Sequence, residues 1–388
     1  MALLLLATSV APAAERPVKP SPLATTGPRP QPVDPPPADS IHTAVRRGIA
    51  FLLERQNGDG SWGSHRTGRP SNVFAPVPGA HHAFRAATTS LCVAALIESG
   101  ADTPPVAAAL ARAEHWMAVN LPSVRRATPD AIYNNWAHIY ALQALGLMHR
   151  RHAGQPGRQE AIVAHIEQQL DRLHRYEFLG GGWAYYDFDV QTQRPGGPSA
   201  SFMTAAGLIA LDEVRQIGVA VPERLTDRAI ASIQRQRKPD FSYAYGEAFV
   251  FYPMHLINRP AGSLGRSQAC NAALRIWGDP LVTDEVLTAW LDRLFARNGW
   301  LDIGRKRPIP HESWFAVAGY FFYFGHYYAA RCIELLPAES REPYKHQMAH
   351  VLLNLQEQDG SWWDFPLYDY HQQYGTAFAL MSLARCRD

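Results

Sequence analysis

The sequence has almost no net charge. Its 388 residues include 37 Lys and Arg against 35 Asp and Glu, which leaves a formal charge of +2 at pH 7. The basic residues are scattered, and the longest basic run is Arg305-Lys306-Arg307. Because nucleic-acid binding normally shows as a basic patch or stripe, we expect no nucleic-acid partner.

Cysteine is scarce. The four cysteines stand at positions 92, 270, 332 and 386, a spacing that matches neither a disulfide framework nor a metal-binding knuckle. Cys92, Cys270 and Cys332 lie in apolar stretches, where a free cysteine behaves as a small buried hydrophobe. No disulfide pairing is indicated, and we expect neither a metal nor a cofactor.

No apolar run has the roughly 20 residues that a membrane-spanning helix needs. The N-terminal run, MALLLLATSVAPAA, is shorter and ends in small residues with an A-x-A-like site. That pattern is typical of a secretory signal peptide. We therefore assign residues 1–14 as a signal peptide and expect an exported protein, in the bacterial periplasm or secreted, with no transmembrane span.

A proline-rich segment follows. Nine of the thirty prolines fall between Pro17 and Pro37, where the apolar residues show no periodicity. This composition is typical of an extended, disordered linker. We expect residues 15–39 to form that linker and residues 40–388 to form one folded domain.

One motif occurs twice, near the two ends of that domain. Residues 56–63 read QNGDGSWG and residues 356–363 read QEQDGSWW, and weaker copies end at Trp183, Tyr243 and Trp300. From Trp62 onwards the aromatic residues are spaced by 121, 60, 57 and 62 positions, of which the first is two periods. The domain therefore contains six repeats of about 58 residues.

Each repeat contains two kinds of helical pattern. Residues 161–176 (AIVAHIEQQLDRLHRY) are amphipathic, whereas residues 204–211 (TAAGLIAL) are small and apolar nearly all round. An amphipathic helix covers a core with one face, and an apolar helix is buried on all sides. The pattern predicts an all-α fold, an α/α toroid (barrel) of six helical hairpins with an inner apolar ring and an outer amphipathic ring.

The motif also carries a family resemblance. Arg47-Gly48-x2-Phe51-Leu52-x3-Gln56-x3-Gly60-x-Trp62 resembles the QW repeat of squalene and oxidosqualene cyclases, and residues 352–362 resemble its second half. The chain is thus similar to the prenyltransferase/squalene oxidase repeat proteins of the terpenoid cyclase and protein prenyltransferase superfamily, and to squalene-hopene cyclase domains in particular. The resemblance implies that eight residues anchor the repeats: Gln56, Gly60, Trp62, Trp183, Trp300, Gln356, Gly360 and Trp362.

The long loops should meet on one rim of such a toroid. The connections from outer to inner helices are long, at about 63–86, 184–199, 239–266 and 301–312, while the returns are short. Long loops on a rigid scaffold are where binding and catalysis usually occur. Near this rim we expect a ligand to contact ten residues: Trp136, His138, Phe202, Thr204, Tyr245, Glu247, Cys270, Trp314, Tyr374 and Thr376.

The catalytic motif of the resembling cyclases is missing. Those enzymes protonate an alkene with an acid in a D-x-D-D motif, and the nearest sequence here is Asp187-Phe188-Asp189. Two carboxyl groups in an aromatic setting could have raised pKa values and act as acids, but a structural role, in which they cap the loop or bind Arg194, is favoured. His311 is the third catalytic candidate. The sequence leaves open whether the protein is an enzyme; if it is, the resemblance implies a cyclase-like isomerase.

The zinc site of the resembling prenyltransferases is also incomplete. Their Asp, Cys and His ligands would correspond here to Gln268, Cys270 and Gly375, so only the cysteine is present. One ligand of three argues against zinc. A different site built from His138, His311 and Cys270 is a weaker alternative.

Three functions are compatible with this pattern. The resemblance favours a small apolar partner, an isoprenoid or lipid-like ligand, in a central cavity. The aromatic residues expected to line that cavity, Trp136, Phe202, Trp314 and Tyr374, favour the same partner. A polysaccharide lyase or glycosidase is possible by analogy of fold alone, with candidate residues Tyr185, Tyr245, Glu247, His311, Glu312 and His371. A non-catalytic binding or scaffold toroid is the third alternative. The oligomeric state is not indicated.

Overall fold

The computed structural model describes residues 19–37, 39–67, 78–124, 134–185, 198–311 and 316–387. The segment assigned as a signal peptide lies outside these ranges. Within them the chain forms fourteen α-helices and no strand longer than an isolated bridge. The helices are α1 (Pro22–Thr25), α2 (Ser40–Glu54), α3 (Pro78–Glu98), α4 (Pro104–Asn120), α5 (Asn134–Arg151), α6 (Pro156–Arg175), α7 (Ser201–Arg215), α8 (Glu223–Gln236), α9 (Pro260–Ile276), α10 (Asp284–Ala296), α11 (Asn298–Gly304), α12 (Phe322–Leu335), α13 (Glu342–Leu353) and α14 (His371–Ala384).

Six of these helices form a closed inner ring. Helix α3 packs against α5, and the contacts continue through α7, α9, α12 and α14 before returning to α3. The outer helices α2, α4, α6, α8, α10 and α13 each pack against the inner helix of the preceding pair, so α2 packs against α14. This arrangement confirms the α/α toroid of six hairpins, which we number as units 1–6 from α2/α3 to α13/α14.

Burial separates the two rings as the sequence pattern predicts. In α7 every residue from Ser201 to Val214 is buried. In α8 the buried residues include Leu225, Ala229 and Ile233, which are four apart and therefore share one face. The apolar all-round pattern thus marks the inner ring, and the amphipathic pattern marks the outer ring.

The anchoring tryptophans are held by two repeated hydrogen bonds. The indole nitrogen of Trp62 donates to the carbonyl of Leu52 at 2.7 Å, and the backbone N–H of Trp62 donates to the hydroxyl of Thr89 at 3.0 Å. Trp183 and Trp362 make the same pair of bonds in units 3 and 6. All three indoles are fully buried, so each joins the end of an outer helix to the wall of an inner one.

The glutamines of the motif hold neighbouring units together. The side-chain amide of Gln56 donates to the carbonyl of Ala109 in α4 at 2.8 Å, and that of Gln356 donates to Ala44 in α2 at 2.9 Å. Each turn therefore binds the outer helix of the next unit. The sixth turn binds α2 just as the first binds α4, which closes the ring.

The motif glycines allow this close approach. Gly60 has φ +94° and Gly360 has φ +88°, a left-handed conformation that side chains disfavour. A Cβ atom at Gly60 would lie 2.5 Å from the carbonyl oxygen of Arg112, and one at Gly360 would lie 2.6 Å from that of Arg47. Any larger residue would push the turn away from the neighbouring helix.

The prediction that Trp300 anchors unit 5 is wrong. Trp300 lies in the additional helix α11 and is 37% exposed. Trp300 occurs at the regular spacing of the aromatic residues, but in unit 5 the helix α11 replaces the turn that carries the anchor in other units. In unit 4 the anchor is Tyr243, which is fully buried and donates its hydroxyl to Asn271 at 2.9 Å.

The part of the proline-rich segment that the structure describes contacts the folded domain. Residues 19–37 lie against the outer ring, and Ala24 in α1 is fully buried. Arg293 of α10 donates to the carbonyls of Leu23 and Thr26, and Gln347 of α13 donates to that of Gln31. Proline has no N–H to satisfy, so an extended proline-rich chain can lie on a helical surface through its carbonyls alone.

The loops are distributed as predicted. Outer-to-inner connections such as 237–259 and 297–321 are long, whereas the returns 99–103 and 152–155 are short. Within the described ranges, no helix has the combination of length and hydropathy that spanning a membrane requires.

Candidate functional site

An aromatic cavity of about 530 Å³ opens at the rim of the long connections. Five of the six inner helices contribute to its wall, together with the loops before α9 and α12. No Asp, Glu, Lys or Arg occurs among the described residues that line it. Thirteen of those twenty residues are aromatic: Phe84, Trp136, Tyr140, Tyr185, Phe202, Tyr245, Phe249, Tyr320, Phe321, Phe324, Phe365, Tyr374 and Phe378.

Phe202 lies at the centre of this wall. Its ring stacks on Trp136 with centroids 6.2 Å apart and meets Tyr245 and Phe321 edge to face at 5.1 and 4.9 Å. Edge-to-face packing of this kind adds to the free energy gained by burial alone. The rings therefore support one another and keep the cavity open rather than collapsing into it.

One strip of the wall is polar. The hydroxyls of Tyr185 and Tyr245 are 2.7 Å apart, those of Tyr245 and Tyr320 are 3.3 Å apart, and the hydroxyl of Tyr320 is 2.8 Å from Nε2 of His311. The Nδ1 atom of His311 lies 3.1 Å from the carbonyl oxygen of Ala316. We call these four side chains, from Tyr185 to His311, the tyrosine array.

Burial keeps the imidazole of the array neutral. Desolvation lowers the pKa of His311 to about 4, against the opposing effect of the hydrogen bond to the Ala316 carbonyl, and the charges of Arg266 and His255 contribute less in the same direction as desolvation. Its backbone has φ +58°, an unusual conformation for a residue other than glycine. The loop thus holds this ring at the cavity wall at the cost of some backbone strain.

A buried arginine lies behind the array. Arg266 is fully buried, and its guanidinium lies 5.6 Å from the centre of the Tyr245 ring. It donates to the backbone carbonyls of Tyr243, Ile257 and Gly262. Burial lowers the pKa of Arg266 to about 10, so it is charged at neutral pH. It fixes the loops around Tyr245 and is not part of the cavity wall.

A buried carboxyl group lies behind another part of the wall. Tyr374 donates its hydroxyl to Asp364 at 2.6 Å, and the backbone N–H of Tyr323 donates to the other carboxylate oxygen at 3.0 Å. Burial raises the pKa of Asp364 to about 7, against the opposing effect of these hydrogen bonds. Asp364 itself does not line the cavity, and its hydrogen bond from Tyr374 connects it to a residue that does.

The structure places five of the predicted site residues at the cavity: Trp136, Phe202, Tyr245, Tyr374 and His311. Their common feature is an aromatic or imidazole ring on the inner side of the rim. Tyr185, a candidate in the polysaccharide alternative, also lines the cavity.

Three other predicted ligand contacts, His138, Thr204 and Thr376, face the outer ring, so that assignment is wrong for them. Thr204 and Thr376 accept hydrogen bonds from the anchoring turns. His138 lies 2.7 Å from the side-chain oxygen of Gln169 in α6. A fourth predicted contact, Cys270, is fully buried and is not among the residues that line the cavity.

Helix geometry explains this error. His138, Thr204 and Thr376 each lie two positions after a cavity residue, namely Trp136, Phe202 and Tyr374. Successive residues in an α-helix are rotated by about 100°, so residues two apart lie on nearly opposite faces. If one member of such a pair faces the cavity, the other must face outwards.

The remaining predictions divide between the rim and residues that are not described. Glu247 does not line the cavity, because Arg235 donates to its carboxylate at 2.9 Å on the rim. His371 is likewise outside the lining, with Nδ1 donating to the Tyr368 carbonyl at 2.7 Å. Asp187, Asp189, Glu312 and Trp314 fall outside the described ranges.

The described residues do not bring metal ligands together. No group of three or more His, Cys, Asp or Glu among them is close enough to hold a metal ion. His138 contacts the outer helix α6 and Cys270 is not among the lining residues of the cavity that His311 lines, so these three side chains do not form a zinc site.

Sequence reasoning missed Arg266 and Asp364. Arg266 is one of two arginines in α9, and only the lack of any acidic residue in positions 248–278 hinted at a structural role. Asp364 stands two residues after the anchor Trp362, where a carboxylate directed inwards from the turn could have been considered.

No profile of a known protein family and no curated protein matches the sequence. Solved structures do match, over nearly the whole chain. The α-1,6-mannanase GH76A of Salegentibacter sp. HEL1_6 is 8% identical with a TM-score of 0.56, over 89% of this chain and 100% of that one. A variant of the type II terpene cyclase MstE from Scytonema, in complex with geranylgeranyl dihydroxybenzoate, is 14% identical with a TM-score of 0.51, over 90% and 97%.

A protein from Actinoplanes is similar to the same degree, with 15% identity and a TM-score of 0.51 over 89% of this chain and 99% of that one. At such identities the likeness shows the α/α toroid fold alone. A mannanase and a terpene cyclase perform unrelated reactions on this fold. The fold therefore does not indicate a function, which has to be argued from the residues of the site.

Proposed function

We propose that the protein binds an isoprenoid or other lipid-like molecule in the cavity of a terpenoid-cyclase-like toroid. The proposal concerns binding and assigns no reaction. The observation that supports it is the wall of thirteen aromatic residues around about 530 Å³, without a charged side chain among the described lining residues. This volume lies within the range of small-molecule sites, which are usually lined by apolar and aromatic groups.

The energetics favour an apolar occupant. Each Å² of apolar surface removed from water contributes about 25 cal/mol, and a cavity of this composition offers few other interactions. The faces of aromatic rings also attract cations, so the wall would suit a cationic intermediate as well as a hydrocarbon.

A carbohydrate is a weaker candidate for this cavity. Glycosidases require two carboxyl groups roughly 5–9.5 Å apart on either side of the scissile bond. Glu247 is bound to Arg235 on the rim, and no carboxylate is among the described residues that line the cavity. The composition of the cavity therefore favours an apolar ligand, as in the terpene cyclase complex, over a carbohydrate.

The repeated turns support the finer family assignment. Three turns share the same tryptophan bonds, and Gln56 and Gln356 bind the next unit in the same way. We infer from this that the turns are QW repeats and that the domain is related to squalene-hopene cyclase domains. The N-terminal 14 residues support export to the periplasm or the exterior.

A variant in which a larger side chain fills the cavity tests the proposal. Ala87 lines the cavity from α3, so Ala87→Trp should fill part of the space. Ala161→Trp adds the same side chain to the exposed face of α6 and is the matched control. Each protein is purified in mild conditions, and bound molecules are identified by native mass spectrometry and solvent extraction.

We expect a co-purifying isoprenoid or lipid in the wild type and the control, with a strongly reduced amount in Ala87→Trp. The uptake of added farnesol, measured by quenching of tryptophan fluorescence, should follow the same order. A wild-type protein that is empty and takes up no farnesol would overturn the proposal. Equal uptake by both variants would show that any binding occurs outside the cavity.

A further inference from the structure

The large hydrophobic side chains that are exposed are concentrated at one rim of the toroid. Ten such side chains occur among the described residues, and none of them lies in a return from an inner to an outer helix. Two are Leu23 in α1 and Val119 in the last turn of α4. The other eight lie in connections from outer to inner helices: Leu179, Val250, Phe251, Tyr252, Met254, Trp300, Ile303 and Ile309.

We propose that this rim docks on a negatively charged lipid surface, with apolar side chains around the cavity opening inserted among the lipids. The side chains that insert, which we call the rim patch, are Leu179, Val250, Phe251, Tyr252, Met254 and Ile309. The inference goes beyond the proposed function, because it concerns the partner of the outer surface and not the ligand in the cavity.

The most exposed part of the rim patch is a loop at the cavity opening. Phe251, Tyr252 and Met254 are 84, 65 and 74% exposed. Phe249 before this loop and Ile257 after it both line the cavity. One short segment therefore contributes to the cavity wall and also directs apolar side chains outwards.

The loop is folded, and its backbone is held by hydrogen bonds. The fully buried side chain of Asn258 donates to the carbonyls of Phe249 and Tyr252 at 3.0 and 2.9 Å. The backbone N–H of Tyr252 donates to the carbonyl of Phe249 at 3.0 Å. Backbone groups that are already bonded enter an apolar phase at a lower cost than free ones. The loop is therefore suited to insertion with its present conformation.

Two further connections contribute to the rim patch. Leu179 lies in the turn after α6, and Arg235 joins that turn to the loop because it donates both to the carbonyl of Gly180 and to the carboxylate of Glu247. Ile309 lies in the connection before α12, directly before two residues that line the cavity. Three connections thus present exposed apolar side chains around one opening.

The charges near the rim patch favour an anionic surface. Arg259 and Arg307 are exposed in the same connections, and residues 248–278 contain no Asp or Glu. The carboxylates of Glu247 and Asp302 are each paired with an arginine. One basic residue close to an anionic membrane strengthens binding roughly fivefold.

A lipid surface fits this rim better than a protein partner does. Exposed apolar patches of this kind mark contacts with membranes or with proteins. A protein seated on the rim patch would cover the opening of the cavity, whereas a lipid surface leaves the cavity in contact with a phase in which apolar molecules dissolve. Aromatic and aliphatic side chains next to basic ones are also typical of segments that lie at a membrane interface.

Vesicle binding tests the inference. Sucrose-loaded vesicles of phosphatidylcholine, pure or with about a quarter of phosphatidylglycerol, are mixed with the purified protein and sedimented. The bound fraction is measured against lipid concentration. We expect the wild type to bind both kinds and to bind the anionic vesicles at least about fivefold more tightly. A wild type that remains in the supernatant with both kinds would overturn the inference.

Single substitutions assign the binding to the rim patch. Phe251→Glu and Met254→Glu each replace an exposed apolar side chain and should weaken binding to both kinds of vesicle about tenfold. Leu179→Glu, in a different connection, should act in the same direction. The matched control is Leu23→Glu, which makes the same change at an exposed residue of α1, against α10, and should bind as the wild type does. Equal binding by Phe251→Glu and the control would show that the rim does not dock.

Two further measurements separate the possible outcomes. Uptake of farnesol without vesicles should be unchanged in Phe251→Glu, because Phe251 does not line the cavity. A wild type that binds vesicles but takes up no farnesol would contradict the proposed function and leave the docking intact. Analytical ultracentrifugation measures self-association. Oligomers that Phe251→Glu dissociates, in a protein that binds no vesicles, would make the rim a protein contact and the inference wrong.

Discussion

Arg47 and Gln356 are 309 positions apart in the sequence and are joined by a hydrogen bond of 3.1 Å from the guanidinium to the amide oxygen. The same guanidinium also donates to the backbone carbonyl of Glu357 at 2.8 Å. In unit 2, Arg112 binds Gln56 in the same way. The contact that closes the ring is therefore a repeat of the contact between consecutive units.

Gly360→Ala should weaken this closure. A Cβ atom there would approach the Arg47 carbonyl to 2.6 Å from a backbone with φ +88°. We expect the free energy of unfolding to fall by roughly 2–4 kcal/mol, from the left-handed conformation and the overpacking together. Urea denaturation followed by circular dichroism measures it.

Gly157→Ala is the matched control. Gly157 lies in α6, and a Cβ atom there would have no heavy atom within 4 Å. This change should leave stability unaltered or raise it by up to about 1 kcal/mol. Similar losses in the two variants would contradict the role assigned to Gly360.

A substitution at Phe202 should mainly affect ligand binding, whereas one at Thr204 should mainly affect stability. Phe202→Leu changes the centre of the cavity wall and should weaken farnesol binding roughly fivefold, with a smaller effect on folding. Thr204→Val removes the acceptor of the Trp183 N–H and should lower the free energy of unfolding by about 1–3 kcal/mol. Fluorescence quenching and urea denaturation of both variants test this. A large loss of affinity in Thr204→Val alone would restore it as a ligand contact.

Stability should fall when the pH is lowered from about 6.5 to 4. Burial lowers the pKa values of His138, His311 and His326 to about 4, whereas an unfolded histidine titrates near 6.5. Between these values the unfolded chain binds protons that the folded chain does not, so lower pH favours unfolding.

His138→Asn should reduce this pH dependence. The neighbours of His138 are Gln169, Arg172 and Tyr176 on the outer side, and an asparagine keeps an N–H for the Gln169 oxygen. The slope of unfolding free energy against pH should decrease by up to about 1.4 kcal/mol per pH unit. Denaturation curves from pH 4.5 to 7.5 measure the slope, and an unchanged slope would show that His138 does not contribute.

Asp364 should have the opposite effect on the pH dependence of stability. Its pKa in the folded protein is raised to about 7, above the value near 3.9 of an unfolded aspartate. The folded state therefore loses stability as the pH rises from about 4 through 7, where the buried carboxyl group must ionise. Asp364→Asn avoids this ionisation, so its stability relative to wild type should increase from about pH 4 to 7 and then level off. Asp227→Asn, on the exposed face of α8, should show no such trend.

The sequence allowed the fold to be predicted because the repeats are redundant. Six copies of one period, with two strong motifs, specify the ring even though the turn in unit 5 is interrupted by α11. Trp300 was assigned wrongly for the same reason, because a regular spacing does not reveal that a helix has been inserted at the expected position.

The site was less predictable. A run that is apolar on every face does not indicate the rotation of its helix, so Phe202 and Thr204 appeared equivalent although they face in opposite directions. The tyrosine array joins residues 185, 245, 311 and 320, which have no pattern in common. Their hydrogen bonds depend on loop geometry, and loops carry no periodic signal.

The way in which each turn binds the next outer helix has a consequence for the order of the chain. Since unit 6 binds unit 1 as unit 1 binds unit 2, the ring has no privileged starting point. A circular permutant that opens at a short return, such as the exposed turn at Gly154, should assemble the same six hairpins around the same cavity. The position of the chain ends in this toroid can therefore be changed, because the contacts between neighbouring units determine its geometry.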